Sequence, residues 1–438
     1  MDKSIKIIKV NESEYLLFHG KSLSMLNVTA ESAPELFNEI KSNGEDAPLC
    51  IDKELEEYLN SIPINKADDF DSTMPSLLKT LVMPISAGCN LACPYCFAQT
   101  SKGNMNFKDY TKEDVDRLLN LLAERKVEEE ITLVFFGGEP MIRFDIIEYT
   151  VNQVKLYPQL KIGYSITTNG TLLTEKNIAF MKENNFSILI SIDGMDNEFN
   201  YRRFHNGRSS VPRVLKAIEK LKKLEVDFEI RATITSDNPY VYDTYIFLEQ
   251  LEVTFLLAFA YQSENKRHHE LTEFNSKSLV NIRNEFERLL VYYKECMDAQ
   301  KPIYNKLISQ LGEILQNRTV QKYECGAGYM YHTIMSDGTM YSCPHFMNES
   351  DCSLGNITQW PFDNLMDHDF IPVPYDEIPG CQDCWALHLC NGGCASQKYS
   401  MGLKANQPYE ERKCELDKVM YEFFIKIYYE HLKHVQPE

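Results

Sequence analysis

Three cysteines within one short stretch, Cys89, Cys93 and Cys96 in SAGCNLACPYCFAQ, are the first residues whose types and spacing could do chemistry. Thiolates are the standard holders of iron–sulfur cages. Three of them on one loop can cap three irons of a four-iron cube and leave the fourth iron open. A structural zinc site needs a fourth ligand close by, and His19 and His205 lie far off in sequence. A zinc knuckle completed from elsewhere, or simply buried thiols, stays open as the bland alternative. Tyr95, between the last two cysteines, is an aromatic that could pack against a nucleoside.

A second concentration lies downstream: of thirteen cysteines, eight fall between residues 325 and 414. Cys325 is followed by twelve residues, Gly338, four more residues and Cys343. Cys381, Cys384, Cys390 and Cys394 then give CxxCx5CxxxC, and Cys414 follows nineteen residues later. Tight cysteine clusters in a reducing compartment point to metal or redox chemistry rather than disulfides. Zinc could also satisfy these spacings. Cys352 is the spare cysteine of this region, while Cys50 and Cys296 read as ordinary core or surface thiols.

The elements that must position the first group are strands and helices in alternation. Strand patterns occur at 81–86, 131–136, 162–168, 187–192, 228–235 and 253–260, with helical stretches between them. Six alternations imply an α/β fold, a parallel sheet with helices outside. The strands end in polar or glycine-bearing residues, at GCN, GGEP, NGT, DG and TSDN, and in a barrel those ends form the active-site rim. Pattern alone does not separate an open barrel from a doubly wound sheet. Residues 1–64 read as a small strand–strand–helix unit, 65–76 as an acidic linker, 78–305 as the catalytic domain and 318–415 as a loop-rich segment that folds around metal. Residues 416–438 belong to a terminal amphipathic helix, whose pattern begins near 410, with Leu416, Met420, Phe423, Phe424 and Ile427 on its core face.

The net charge of −19, from 45 basic and 64 acidic residues, argues against nucleic acid as the main partner. The basic run RRFHNGR at 202–208 is the nearest exception. No apolar run is long enough to span a membrane, and the first residues lack the continuous apolar stretch of a secretory signal, so a cytoplasmic location is expected.

CxxxCxxC after the first strand, with GGEP ending the second, resembles the radical S-adenosylmethionine superfamily. That resemblance implies a partial (β/α)6 barrel and a [4Fe-4S] cluster at Cys89, Cys93 and Cys96 that cleaves the bound cofactor to a 5′-deoxyadenosyl radical. By the same match Gly137, Gly138 and Glu139 meet the cofactor's amino group. Ser191, Asp193 and Asn169 are further cofactor contacts, with Tyr95 beside them. Arg203 pairs with the cofactor carboxylate, as a guanidinium is shaped to do, although the family's usual HD before it is Phe199-Asn200 here and Arg202 is adjacent.

The downstream cysteines resemble the SPASM extension. Carried over, Cys381, Cys384, Cys390 and Cys414 hold one auxiliary [4Fe-4S] cluster, and Cys325, Cys343 and Cys394 hold the other. Two cubes need eight ligands, so Cys352 or an open iron completes the second. The stretch EYLLFHGKSLSMLNVTAESAPELFNEI resembles the precursor-recognition element of peptide maturases, a winged-helix-like module that adds a leader peptide to its sheet edge. Together these imply a maturase that crosslinks a ribosomally made precursor peptide through a thioether or carbon–carbon bond. Its auxiliary clusters would accept an electron, and an external flavodoxin- or ferredoxin-type donor would supply one. The alternative is a formylglycine-forming sulfatase maturase, in which an aspartate follows the second cysteine of the extension; here Pro344 follows Cys343. A metal-stabilised binding protein without catalysis is the third possibility.

Overall fold

The computed structural model describes residues 3–44, 51–67, 77–98, 107–126, 129–260, 271–362 and 364–435. Cys50 and most of the acidic linker lie outside them.

The N-terminal strands β1 (Ile5–Asn11), β2 (Glu14–His19) and β3 (Ser24–Thr29) form an antiparallel sheet in that order. EYLLFH is apolar without alternation because β2 is covered on both faces. Ile8, Leu16 and Phe18 enter the main core, while Ile7, Tyr15 and Leu17 join Phe37, Ile40 and Leu59 of two helices in a second core. The two-residue strand β4 (Asn65–Lys66) leads towards the body.

The sequence alternation then produces β5 (Thr80–Ser86), β6 (Ile131–Gly137), β7 (Ile162–Thr168), β8 (Ser187–Ser191), β9 (Phe228–Ile234) and β10 (Phe255–Phe259). These six pair in sequence order, all parallel. Their helices begin where the chain can satisfy free backbone N–H groups: Thr111 with Asp114, and Thr174 with Asn177, form reciprocal caps. Because the strands are parallel, their C-terminal ends share one edge, which collects the cysteine loop and the polar turns.

The cysteine-rich region does not begin as a separate body. After β11 (Thr319–Val320), which pairs with β4, the strand β12 (Tyr331–Ile334) lies parallel to β5. The strands β13 (Thr339–Tyr341) and β14 (Ser353–Asn356) follow antiparallel, so one nine-stranded sheet runs from β10 through β5 to β14. Short strands rich in Thr, Tyr and His gave no periodic signal of this. Beyond them Phe362, Phe370, Ile371, Trp385 and Leu389 join the main core, and Val373, Ile378, Ala395 and Ala405 form a small separate one. The long helix Glu411–Val435 packs along the helix Ser276–Asp298, with Phe423 stacked on Phe286 at 4.5 Å.

The N-terminal module is seated on the cysteine-rich region. Phe18 meets Trp385 edge-on with ring centroids 6.1 Å apart, and Lys21 reaches Asp383 at 3.3 Å. Gly20 is required at this seam, since a Cβ there would stand 1.9 Å from the Trp385 carbonyl oxygen. Gly20→Ala is therefore expected to cost about 2 kcal/mol through overpacking, read as a lower thermal midpoint and faster proteolysis of the module. An unchanged midpoint would mean that the module does not sit on Trp385.

Candidate functional site

The loop that leaves β5 carries Cys89, Cys93 and Cys96, and its backbone is clasped from two sides. Ala92 N–H donates to the Arg203 carbonyl at 2.8 Å, Leu91 bridges Phe204, and His205 Nε2 lies 3.0 Å from the Cys89 carbonyl. The basic run at 202–208 thus holds the cysteine loop. Cys89 Sγ accepts from Leu91 N–H at 3.4 Å, and Asn169 Nδ2 approaches it at 4.0 Å. None of the three is in a disulfide, and burial pushes the Cys89 thiol up to about 11 and Cys93 higher still. Crowded thiols without a nearby metal cost free energy as thiolates, and a multi-iron cluster is the cation such a set accommodates. Three donors converging on one point, as a mononuclear ion requires, do not occur among the described residues.

The GGE turn closes on the same loop. Gly138 N–H donates to the Ser86 carbonyl at 2.7 Å and Glu139 N–H to the Gly88 carbonyl at 2.8 Å. Gly137 has φ +130°, and a Cβ there would stand 2.4 Å from the Ser86 oxygen. The missing side chain therefore makes room for strand β5 rather than for a ligand. Glu139 is fully buried and accepts from Thr168 Oγ1 at 2.5 Å, Asn169 N–H at 2.8 Å and Met141 N–H at 3.1 Å. Burial outweighs those bonds and raises its carboxyl to about 7.

Ser191 ends β8, and two residues on Asp193 is buried as an ion-pair partner. It accepts from Arg202 Nε at 2.8 Å, from Thr233 N–H at 2.9 Å and from the Tyr95 hydroxyl. Arg202 also lies over the Tyr95 ring at 5.8 Å and faces Cys93. Arg203 points elsewhere, donating to the carbonyls of Asn197 at 2.8 Å and Gly207 at 3.4 Å. In an extended segment successive side chains leave on opposite sides, so only one of the adjacent arginines can enter the site, and it is Arg202.

The downstream cysteines gather into two sets. Cys390 faces Cys381 and Cys414, and Cys414 faces Cys381 and Cys384. Cys325 and Cys343 each face Cys394, and Ser396 Oγ lies 3.1 Å from Cys394 Sγ while also bonding Cys343. Cys352 is buried in the main core against Tyr341. The oxygen-bearing groups that face Cys325 and Cys343 are instead Glu324, hydrogen-bonded to the Cys325 thiol, and Tyr331. Neither stands out in sequence, because a carboxylate or phenol beside a cysteine carries no spacing signal.

Residues around Cys343 meet the first loop directly. Phe97 packs on His345 with centroids 3.8 Å apart and stacks on Phe136 at 6.1 Å, and Asn348 Nδ2 donates to the Ala98 carbonyl at 3.0 Å. Arg231 of β9 faces Arg202, Tyr331 and His345. Burial, with the Arg231 guanidinium beside it, lowers the His345 imidazole to about 3, so it is neutral.

Residues 83–241 match the model of the radical SAM superfamily. An uncharacterised protein of Methanocaldococcus jannaschii is 30% identical over 265 residues, covering 57% of this chain and 87% of its own length. The chain belongs to the radical SAM superfamily. A cysteine-type anaerobic sulfatase-maturating enzyme of Clostridium perfringens is 28% identical over 336 residues, covering 72% of this chain and 88% of its own. Native anSMEcpe with bound AdoMet superposes with a TM-score of 0.66 at 23% identity, over 82% of this chain and 99% of that one. Streptococcus suis SuiB bound to precursor peptide SuiA superposes with a TM-score of 0.53 at 16% identity, over 94% and 98%. At these identities the two solved structures speak to fold alone.

Glu139 supplies a pH test of this radical SAM site. Its folded-state value near 7 lies above the ordinary 4.5, so the proton is held more tightly in the folded chain. The resulting stability is complete below pH 4.5 and is lost as pH rises through about 7. Relative to Glu139→Gln, the cofactor-free protein is expected to lose about 3 kcal/mol across that window. Denaturant midpoints of both proteins at either end of the range check this; parallel pH profiles would exclude a raised carboxyl.

Proposed function

We propose that this chain is a maturase that oxidises one residue of a peptide, using S-adenosylmethionine and three [4Fe-4S] clusters. The observation that carries it is the gathering of ten thiols into three sets, at Cys89, Cys93 and Cys96, at Cys381, Cys384, Cys390 and Cys414, and at Cys325, Cys343 and Cys394. Crowded thiols outside disulfides fit clusters as their ligands. Cys352 lies against Tyr341, which favours Glu324, Tyr331 or an open iron at the last position.

When bound, the first cluster and S-adenosylmethionine supply a 5′-deoxyadenosyl radical. This chain's residues prepare the pocket. The backbone of Gly137 and Gly138, the carboxyl of Glu139 and the side chain of Asn169 line the place for the cofactor's amino group, and binding of that ammonium would bring Glu139 back into its charged form. Arg202, oriented by Asp193, is suited to the cofactor carboxylate, a role expected of Arg203 on sequence. Tyr95 and Ser191 complete the cofactor's surroundings. Arg231, Tyr331, His345 and Phe97 cluster between the first loop and Cys343, and a peptide residue would be held beside them. An external flavodoxin- or ferredoxin-type donor would deliver electrons.

Two products are consistent with this pocket. Formylglycine formation is the one favoured by the named relatives, which are mostly sulfatase-maturating enzymes. Crosslinking of a precursor peptide is favoured by the N-terminal module, since a solved structure that includes a precursor peptide spans nearly the whole chain. Pro344 also favours crosslinking, because it follows Cys343 where a sulfatase maturase is expected to carry an aspartate.

Anaerobically reconstituted protein should release 5′-deoxyadenosine, and Cys93→Ala should release none above background. With a candidate precursor or sulfatase peptide, a hydrazide-reactive aldehyde identifies formylglycine, while loss of two hydrogens without an aldehyde identifies a crosslink. Cofactor that stays intact under these conditions would leave only a non-catalytic binding protein.

A further inference from the structure

Lys398 is the least expected buried residue in the molecule. It lies on the short helix Ala395–Ser400, one turn after Cys394, and is 1% exposed. Its ammonium donates to the Ala405 carbonyl at 2.7 Å and stands 5.6 Å from the centre of the Tyr409 ring. No carboxylate lies within ion-pair distance of it among the described residues. The neighbouring Lys413, by contrast, pairs directly with Asp417. Glu324 faces Lys398 only at longer range. A buried ammonium held by one neutral carbonyl and a ring is costly unless anionic charge is near.

The groups that do face Lys398 are thiols, and they belong to both downstream sets: Cys381, Cys390 and Cys414 of one, Cys394 of the other. Lys418 faces Cys381 and Cys414 as well. A four-iron cube with four thiolates is net anionic, and its reduction adds a further negative charge. A fixed cation between two such cubes stabilises both, and the reduced forms more than the oxidised ones. Tyr409 fixes the geometry, since its hydroxyl accepts from Cys394 N–H at 2.6 Å and contacts Gln397 at 3.0 Å, on the same helix as Lys398.

We propose that Lys398 is the shared counter-ion of the two auxiliary clusters, a positioning residue that holds their potentials high enough to take an electron from the oxidised peptide. This rests on the auxiliary clusters of the proposed function. It assigns Lys398 no part in hydrogen abstraction.

The test is reconstituted full-length protein as wild type, Lys398→Met and Lys398→Arg, assayed for iron and sulfide and titrated by potential with electron paramagnetic resonance. Wild type should bind three cubes' worth of iron. Lys398→Met should shift the auxiliary signals to more negative potential and leave that of the first cluster in place, while Lys398→Arg should stay close to wild type. Loss of auxiliary iron in Lys398→Met but not in Lys398→Arg would also support a charge requirement. Unchanged potentials in Lys398→Met, or loss of iron in both variants, would overturn the proposal. Wild type that binds only one cube's worth of iron would instead overturn the auxiliary clusters themselves.

Discussion

Thiols brought together without a cation are unstable as thiolates, and this chain assembles three such groups around which its irregular segments are arranged. Burial raises Cys89, Cys93, Cys343, Cys390, Cys394 and Cys414 above the ordinary thiol range. In the barrel this strain is small beside a large apolar core. Between residues 370 and 410 Val373, Ile378, Ala395 and Ala405 form a small core of their own, while Phe370, Ile371, Trp385 and Leu389 anchor the segment to the main core. A cluster held by those thiols would add its binding free energy to the folding of this segment.

The sheet joins the groups mechanically. Strand β12 extends the parallel sheet beside β5, so the segment bearing Tyr331 and the strand that ends at the first cysteine loop share one ladder of hydrogen bonds. Contacts from Phe97 to His345 and from Ala98 to Asn348 close the circuit on the other side. The first cysteine loop and the Cys343 segment therefore form one continuous packing unit. Such pre-organisation suits radical chemistry, in which position decides which hydrogen is abstracted.

Most of the main sheet was legible in the sequence. Each of the six barrel strands appears within a few residues of its expected limits, because strands between helices are strongly patterned. The partition of the downstream cysteines came from the family resemblance alone. Strands β12 to β14 were not visible, being short and without alternation, and so the cysteine-rich region looked more separate than it is. Glu324, Tyr331 and Lys398 were equally silent. A lone acid, phenol or lysine carries no signal until the fold sets it beside a thiol.

By itself the sequence determined the covalent inventory: which thiols exist, how closely each group is spaced along the chain, and the order of strand and helix that brings polar turns to one edge. Those are local properties, fixed by residue type and period. Only the tertiary structure decided which of two adjacent arginines enters the site, which groups besides cysteine line the downstream sets, and where a buried lysine finds its counter-charge. Each of these depends on residues far apart in the chain meeting in space, and the direction of one side chain is settled by its packing partners rather than by its neighbours in sequence.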